Sequence, residues 1–249
     1  CNMYVFMKRL EEAVDSETLK NILYRVRHGL HPTQFKWARD KFLETSGLDK
    51  FLKKHAEDEL NNYIELNRRE KDFYGQGITD EVLEFIRQNP AMLAPVREGN
   101  ILRCMAIPFD AKAYLAADDD RQKRYHACHC PFAKESILSD SVVSPMLCNC
   151  SLGHMMNFVE AFLGRPIPGR GKVVRSVLKG DLNCEYEIAI PDDIMKTYVE
   201  KKESDIIISN YYRYYHMFTK SGIVDFHMGP VNWIMPKEGE NGPAIAYNI

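Results

Sequence analysis

No run of apolar residues in the chain approaches the ~20 needed to cross a bilayer as a helix, so a helical membrane protein is not expected. An excess of one charge is missing too. With 33 Lys and Arg against 35 Asp and Glu, a formal net charge of −2, there is no basic surplus to neutralise phosphates, and neither nucleic acid nor an anionic membrane is an expected partner. Cysteine is sparse, seven in 249 residues, too few for a small disulfide scaffold and odd in number. That points to a reduced, cytoplasmic protein in which clustered cysteines serve metal binding or catalysis. Internal repeats and low-complexity tracts are absent, and 45% hydrophobic with 27% charged residues is the composition of a folded chain. The phosphate-cradling glycine loop, the dinucleotide fingerprint, the Gly-x-Ser-x-Gly elbow and the His-Glu-x-x-His zinc helix are all missing, which leaves nucleotide enzymes, serine hydrolases and zincins without support. The opening CNMYVFMKRLEE reaches charge after a few apolar residues, unlike a signal peptide, and Cys1 in place of Met reads as a trimmed or processed start.

What is present divides into a helical N-terminal region, residues 1–95, and an α+β ligand-binding-like region with an antiparallel sheet, residues 96–249; a chain of this length also suits one intimately packed domain. Asp15 and Ser16 can cap a helix with Leu19, Ile22, Leu23 and Val26 as its stripe. A second helix is expected from Pro32 to Gly47 with Phe35, Phe42 and Leu43 inward, a long charged one over 49–69, and a short one from Thr79 to Ile86 ended by Asn89-Pro90. Asp118 to Arg121 reads as a solvated turn. Ser151 is the expected cap of a helix burying Leu152, Met155, Met156, Val159 and Phe162, closed by Gly164. The clearest strand signals are Val173–Leu178 and Cys184–Ile190, joined by a turn at Lys179-Gly180-Asp181. The aromatic tail, with Tyr211, Tyr212, Tyr214, Tyr215, Phe218 and Trp233, suits a final strand or a pocket cover, core packing being the plainer reading.

Chemistry concentrates in two Cys-x-Cys pairs, Cys128/Cys130 and Cys148/Cys150. Thiolates are soft ligands and also nucleophiles. In an extended strand, residues i and i+2 share a face, so two such segments would bring four thiols together for zinc or another thiophilic metal. Their Cα atoms would stand about 6.5 Å apart, wider than the usual Cys-x(2–4)-Cys turn. A second possibility takes one thiol from each pair, completed by histidine or water, with His126, His129 and His154 at hand. In a third, metal-free possibility Cys150 is a nucleophile at a helix N-terminus with His154 as base. Buried small apolar residues are the plain alternative, and Cys104 and Cys184 taken singly are read as core thiols.

The stretch Ser176 to Ile188, with Gly180-Asp181-x-x-Cys184 closing a strand, resembles the hairpin of the L-2-amino-thiazoline-4-carboxylic acid hydrolase family and is similar to the 4-vinyl-reductase small-molecule-binding domain. The pairs Cys-His-Cys-Pro-Phe and Cys-Asn-Cys-Ser-x-Gly look like those of bacterial proteins related to the hydrolase group. The resemblance covers about residues 125–191. It implies an α+β ligand-binding fold in a cytoplasmic bacterial protein, a hydrolase opening a small sulfur-containing heterocycle, and a ligand role for Asp181 and Cys184 beside the turn glycine Gly180. The leading expectation is therefore a zinc-like site at Cys128, Cys130, Cys148 and Cys150 in a protein that hydrolyses a small C–N or C–S substrate. Its rivals are a non-enzymatic small-molecule or redox sensor and a metal-free cysteine enzyme.

Overall fold

The fold is α+β, helices dominating the N-terminal region and a four-stranded antiparallel sheet following. The computed structural model of the chain describes residues 2–29, 32–45, 47–73, 76–139, 141–198, 232–234 and 244–246. Helices α1 (Met3–Ala13), α2 (Ser16–Val26), α3 (Lys36–Glu44) and α4 (Leu48–Arg68) lead to a small hairpin of β1 (Asp72–Phe73) and β2 (Gln76–Gly77) and to α5 (Asp80–Gln88). The caps do what their residue types dictate. Asp15 accepts from the N–H groups of Glu17 and Thr18, and Thr79 from that of Val82.

Strands β3 (Val96–Glu98) and β4 (Ile101–Met105) then form a hairpin, followed by α6 (Ala111–Ala116), α7 (Asp120–Ala127) and α8 (Asn149–Leu163). The expected second hairpin is present as β5 (Gly171–Arg175) and β6 (Glu185–Ala189), and α9 (Asp192–Tyr198) follows it. The sheet order is β3-β4-β6-β5, each neighbour antiparallel. A separate pair, β7 (Asn232–Ile234) and β8 (Ala244–Ala246), includes Trp233; Tyr211, Tyr212, Tyr214, Tyr215 and Phe218 lie outside the described residues, as does Cys1.

Three apolar clusters hold these elements together; one joins Tyr63 of α4, Val82, Leu83 and Ile86 of α5 and Ala111 of α6, and the other two reach the candidate site. The larger joins Phe42 of α3 and Phe51 of α4 to Leu102 of β4, Met156 and Phe162 of α8, and Tyr186 and Ile188 of β6, so helices and sheet are buried against each other. The smaller takes Leu19 and Leu23 from α2 together with Cys128, Ile137, Cys148, Val177 and Leu178. Helix α8 serves the larger cluster while also packing along α2.

Four local expectations need correction. The stripe of α2 is narrower than its periodicity suggests: Leu19 and Leu23 are buried, whereas Ile22 and Val26 are 41% and 51% exposed. Asp119 is not in a free turn; its side chain accepts from Gln122 N–H and starts α7. Ser151 is not a cap, because a 3-10 turn over Pro145–Cys148 runs straight into α8 and Ser144 caps that turn instead. None of the four paired cysteines lies on a strand: Cys128 follows α7, Cys130 is in a loop, Cys148 ends the 3-10 turn and Cys150 is in the first turn of α8.

Candidate thiol and imidazole site

Helical geometry replaces the strand parity on which the paired spacing was read. Successive α-helical residues turn by about 100°, so positions i and i+2 look to nearly opposite sides. Cys148 Sγ accordingly meets Ser176 Oγ at 3.0 Å on the sheet side. Cys150 Sγ instead accepts the main-chain N–H of His28 at 3.4 Å on the α2 side. Ser176 is fixed by Asp181, whose Oδ2 accepts its N–H at 2.8 Å, so Asp181 shapes the turn that aims a hydroxyl at a thiol. Cys130 and Cys184, both partly buried, pack against the cluster containing the buried Cys128 and Cys148. Thus sulfur from both pairs and from the hairpin converges on one region, with Cys150 at its edge and within reach of the charge of Cys130.

Imidazoles line the other side. Arg27 and His28 both adopt left-handed backbone, φ 49° and 54°, a conformation that costs a side-chain-bearing residue about 1 kcal/mol or more. A buried network enforces it. Arg27 Nη1 lies 2.8 Å from Glu160 Oε2 and donates to Asn157 Oδ1 at 2.6 Å, while the Tyr24 hydroxyl donates to Glu160 Oε1 at 2.8 Å and accepts from Arg27 Nη2 at 3.0 Å. Close approach is permitted by Gly153, where a Cβ would stand 2.0 Å from the Tyr24 carbonyl oxygen. The turn so held places His28 Nε2 3.0 Å from Ser151 Oγ and stacks its ring on His154, with centroids 5.2 Å apart and planes at 12°. Phe35 meets His154 edge-on at 6.1 Å. His129 sits close enough for its charge to be felt by both His28 and His154; its Nε2 lies 2.5 Å from the Ile107 carbonyl oxygen.

Burial sets the protonation states. It pushes the Cys128 and Cys148 thiols up to about 12, and raises those of Cys130, Cys150 and Cys184 as well. Hydrogen bonding between Cys148 and Ser176, and from the His28 N–H to Cys150, pulls the other way without reversing the shift. Burial, with His28 and His129 adding repulsion, brings His154 down to about 4, and burial lowers His28 and His129 too. At neutral pH the cluster is therefore a set of protonated thiols beside neutral imidazoles. A metal-free Cys150 thiolate finds no support in these shifts, because desolvation outweighs the helix terminus.

The structure thus gathers Cys128, Cys130, Cys148, Cys150 and Cys184, and adds His129 and His154. His126 differs, lying edge-on to Tyr125 with its buried Nδ1 lacking a hydrogen-bond partner among the described residues. Cys104 is a core thiol between β4 and its neighbours. The six described cysteines are free, and among the described residues no group of three or more His, Cys, Asp or Glu side chains stands in metal-holding geometry. The donor types nevertheless suit a thiophilic cation, and His154 Nδ1 is buried with no hydrogen-bond partner among the described residues. Sequence reasoning missed His28 and Ser176. Ser176 lay inside the recognised hairpin stretch, but His28 carried no signal, since its place depends on a buried arginine network contributed by two distant helices. No family model, curated protein or solved structure matches the chain.

Proposed function

We propose that the chain binds a zinc-class thiophilic cation at Cys128, Cys130, Cys148 and Cys150 and hydrolyses a small C–N or C–S substrate there. The observation that carries this reading is the packing of sulfur from both Cys-x-Cys pairs and from Cys184 into one cluster, with Cys150 and neutral imidazoles adjoining. Protonated thiols and neutral imidazoles repel a cation less than charged histidines would, and thiols release protons as they coordinate. Such an ion supplies Lewis acidity and an activated water when one position stays open. The chain's own residues hold and orient. Ser176 positions Cys148, the amide of His28 positions Cys150, and the apolar wall of Val177 and Leu178 keeps water from the inner thiols. His154 acts as a neutral acceptor facing the stacked His28. The hydrolytic class rests on the resemblance of the Gly180-Asp181-x-x-Cys184 hairpin, and a cytoplasmic bacterial setting accompanies it. No helix among the described residues is long and apolar enough to cross a membrane.

A non-enzymatic sensor is the second reading, favoured by the depth of Cys128 and Cys148, 4% and 9% exposed, since a closed thiolate shell excludes substrate. Elemental analysis of protein purified without chelator tests the common core of both. About one equivalent of zinc or a similar metal, with the paired thiols slow to titrate until it is removed, is expected. Absence of stoichiometric metal together with freely titrating thiols would contradict it.

A further inference from the structure

His28 reaches across 123 residues to the first turn of α8, where its Nε2 lies 3.0 Å from Ser151 Oγ. This is hydrogen-bond contact between a hydroxyl and an imidazole, the pairing that activates serine for attack on an acyl group. Main chain and ring of His28 are both held. Its N–H donates to Cys150 Sγ at 3.4 Å, and its ring stacks on His154 with centroids 5.2 Å apart. Arg27 and His28 are left-handed, φ 49° and 54°, and side-chain-bearing residues in that region concentrate at functional sites. On the partner side, the hydroxyl of the buried Tyr186 in β6 also reaches Ser151, so Ser151 can accept from Tyr186 while donating to His28. Ser151 is half-buried and His28 exposed, which gives a small molecule access from solvent. The positive end of α8 favours the negative charge that develops on an attacked carbonyl oxygen.

We propose that Ser151 and His28 form a nucleophile–base dyad for acyl transfer, with small carboxylic esters as the substrate class. An ester suits a two-residue site because its alkoxide leaves more readily than an amine. Ser151 Oγ bonds to the carbonyl carbon as its proton passes to His28 Nε2; the ester C–O bond then breaks and that proton departs with the alcohol. Water repeats the sequence. It gives one proton to His28 and its hydroxyl to the acyl carbon, the Oγ–carbon bond breaks, and the acid leaves as Ser151 regains a proton from His28. His154 is a positioning residue that holds the His28 ring. This assignment does not rest on the cation reading above, and Cys150 enters it only by accepting the His28 N–H.

A phosphonofluoridate probe, which loses fluoride as it bonds to an activated serine and does not turn over, tests the dyad on the full-length protein. Peptide mass spectrometry should place the phosphonyl group on Ser151. His28→Asn tolerates the left-handed backbone and should slow that labelling at least about a hundredfold, the lower end of what a positioned base supplies. His28→Gly also keeps the turn and should behave alike, circular dichroism confirming that both variants fold. Wild-type protein should hydrolyse p-nitrophenyl acetate above the level left in Ser151→Ala. A Ser151 that stays unlabelled in folded wild type, or is labelled equally fast in folded His28→Asn and His28→Gly, overturns the dyad. Labelling of Ser151 without ester hydrolysis above the Ser151→Ala level overturns the acyl-transfer assignment.

Discussion

A buried histidine whose ring nitrogen lacks a hydrogen bond makes stability depend on pH, and His55 of α4, whose Nδ1 has no hydrogen-bond partner among the described residues, is such a case away from the sulfur site. It is 8% exposed, packs on Phe158 at 4.8 Å and Phe51 at 6.1 Å, and lies 4.0 Å from Glu59, too far for a hydrogen bond. Burial, with Lys41 adding repulsion, brings its pKa down from 6.5 to about 4. The unfolded chain therefore takes up the proton first as pH falls. Stability is full above the unfolded value and is lost between 6.5 and about 4. Between about pH 7 and about pH 5 the loss from this one group should be on the order of 2 kcal/mol. Urea unfolding of the wild type and His55→Leu at both pH values checks it: the variant should lose less stability on acidification, and equal losses would remove His55 as a cause.

At the scale of elements, the contact between α2 and α8 decides where the imidazoles stand. Gly153 lets the two helices touch, since a Cβ there would sit 2.0 Å from the Tyr24 carbonyl oxygen and 3.2 Å from Arg27 Cγ. The neighbour is backbone and cannot rotate away. Gly153→Ala should therefore cost about 3 kcal/mol or more, seen as a lowered thermal midpoint, and a midpoint unchanged from wild type would show that the helices yield. Here the limits of sequence reading are physical. The caps of α2 and α5, the stripe of α8 and the β5–β6 hairpin were legible because each is set by residues adjacent in the chain. The direction of the paired thiols was not, because two cysteines two apart share a face on a strand and separate on a helix, and Ser144-Pro145 had already turned the chain helical. His28 was illegible for a different reason: the Tyr24–Arg27–Asn157–Glu160 network beside it and its own contacts with Cys150 and Ser151 join α2 to α8 across more than a hundred residues.

Across the whole molecule the site is part of the packing. Cys128 and Cys148 belong to the apolar cluster that also holds Leu19 and Leu23 of α2 and Val177 and Leu178 after β5. The α+β class expected from pattern alone is what the chain adopts, yet the cluster that matters crosses the boundary drawn at residue 95. A cation bound to its thiols should consequently stabilise helices and sheet together. Zinc at a hundred times its dissociation constant would add about 2.7 kcal/mol, raising the thermal midpoint of protein stripped of metal, and a midpoint insensitive to zinc would separate the thiols from metal binding. Native mass spectrometry of the full-length protein with added zinc tests that binding most directly. A zinc site in the sulfur cluster requires a mass gain of one zinc less the displaced protons, lost in a folded Cys130→Ser/Cys150→Ser variant. An unshifted wild-type mass, or a zinc adduct undiminished in that variant, would contradict it.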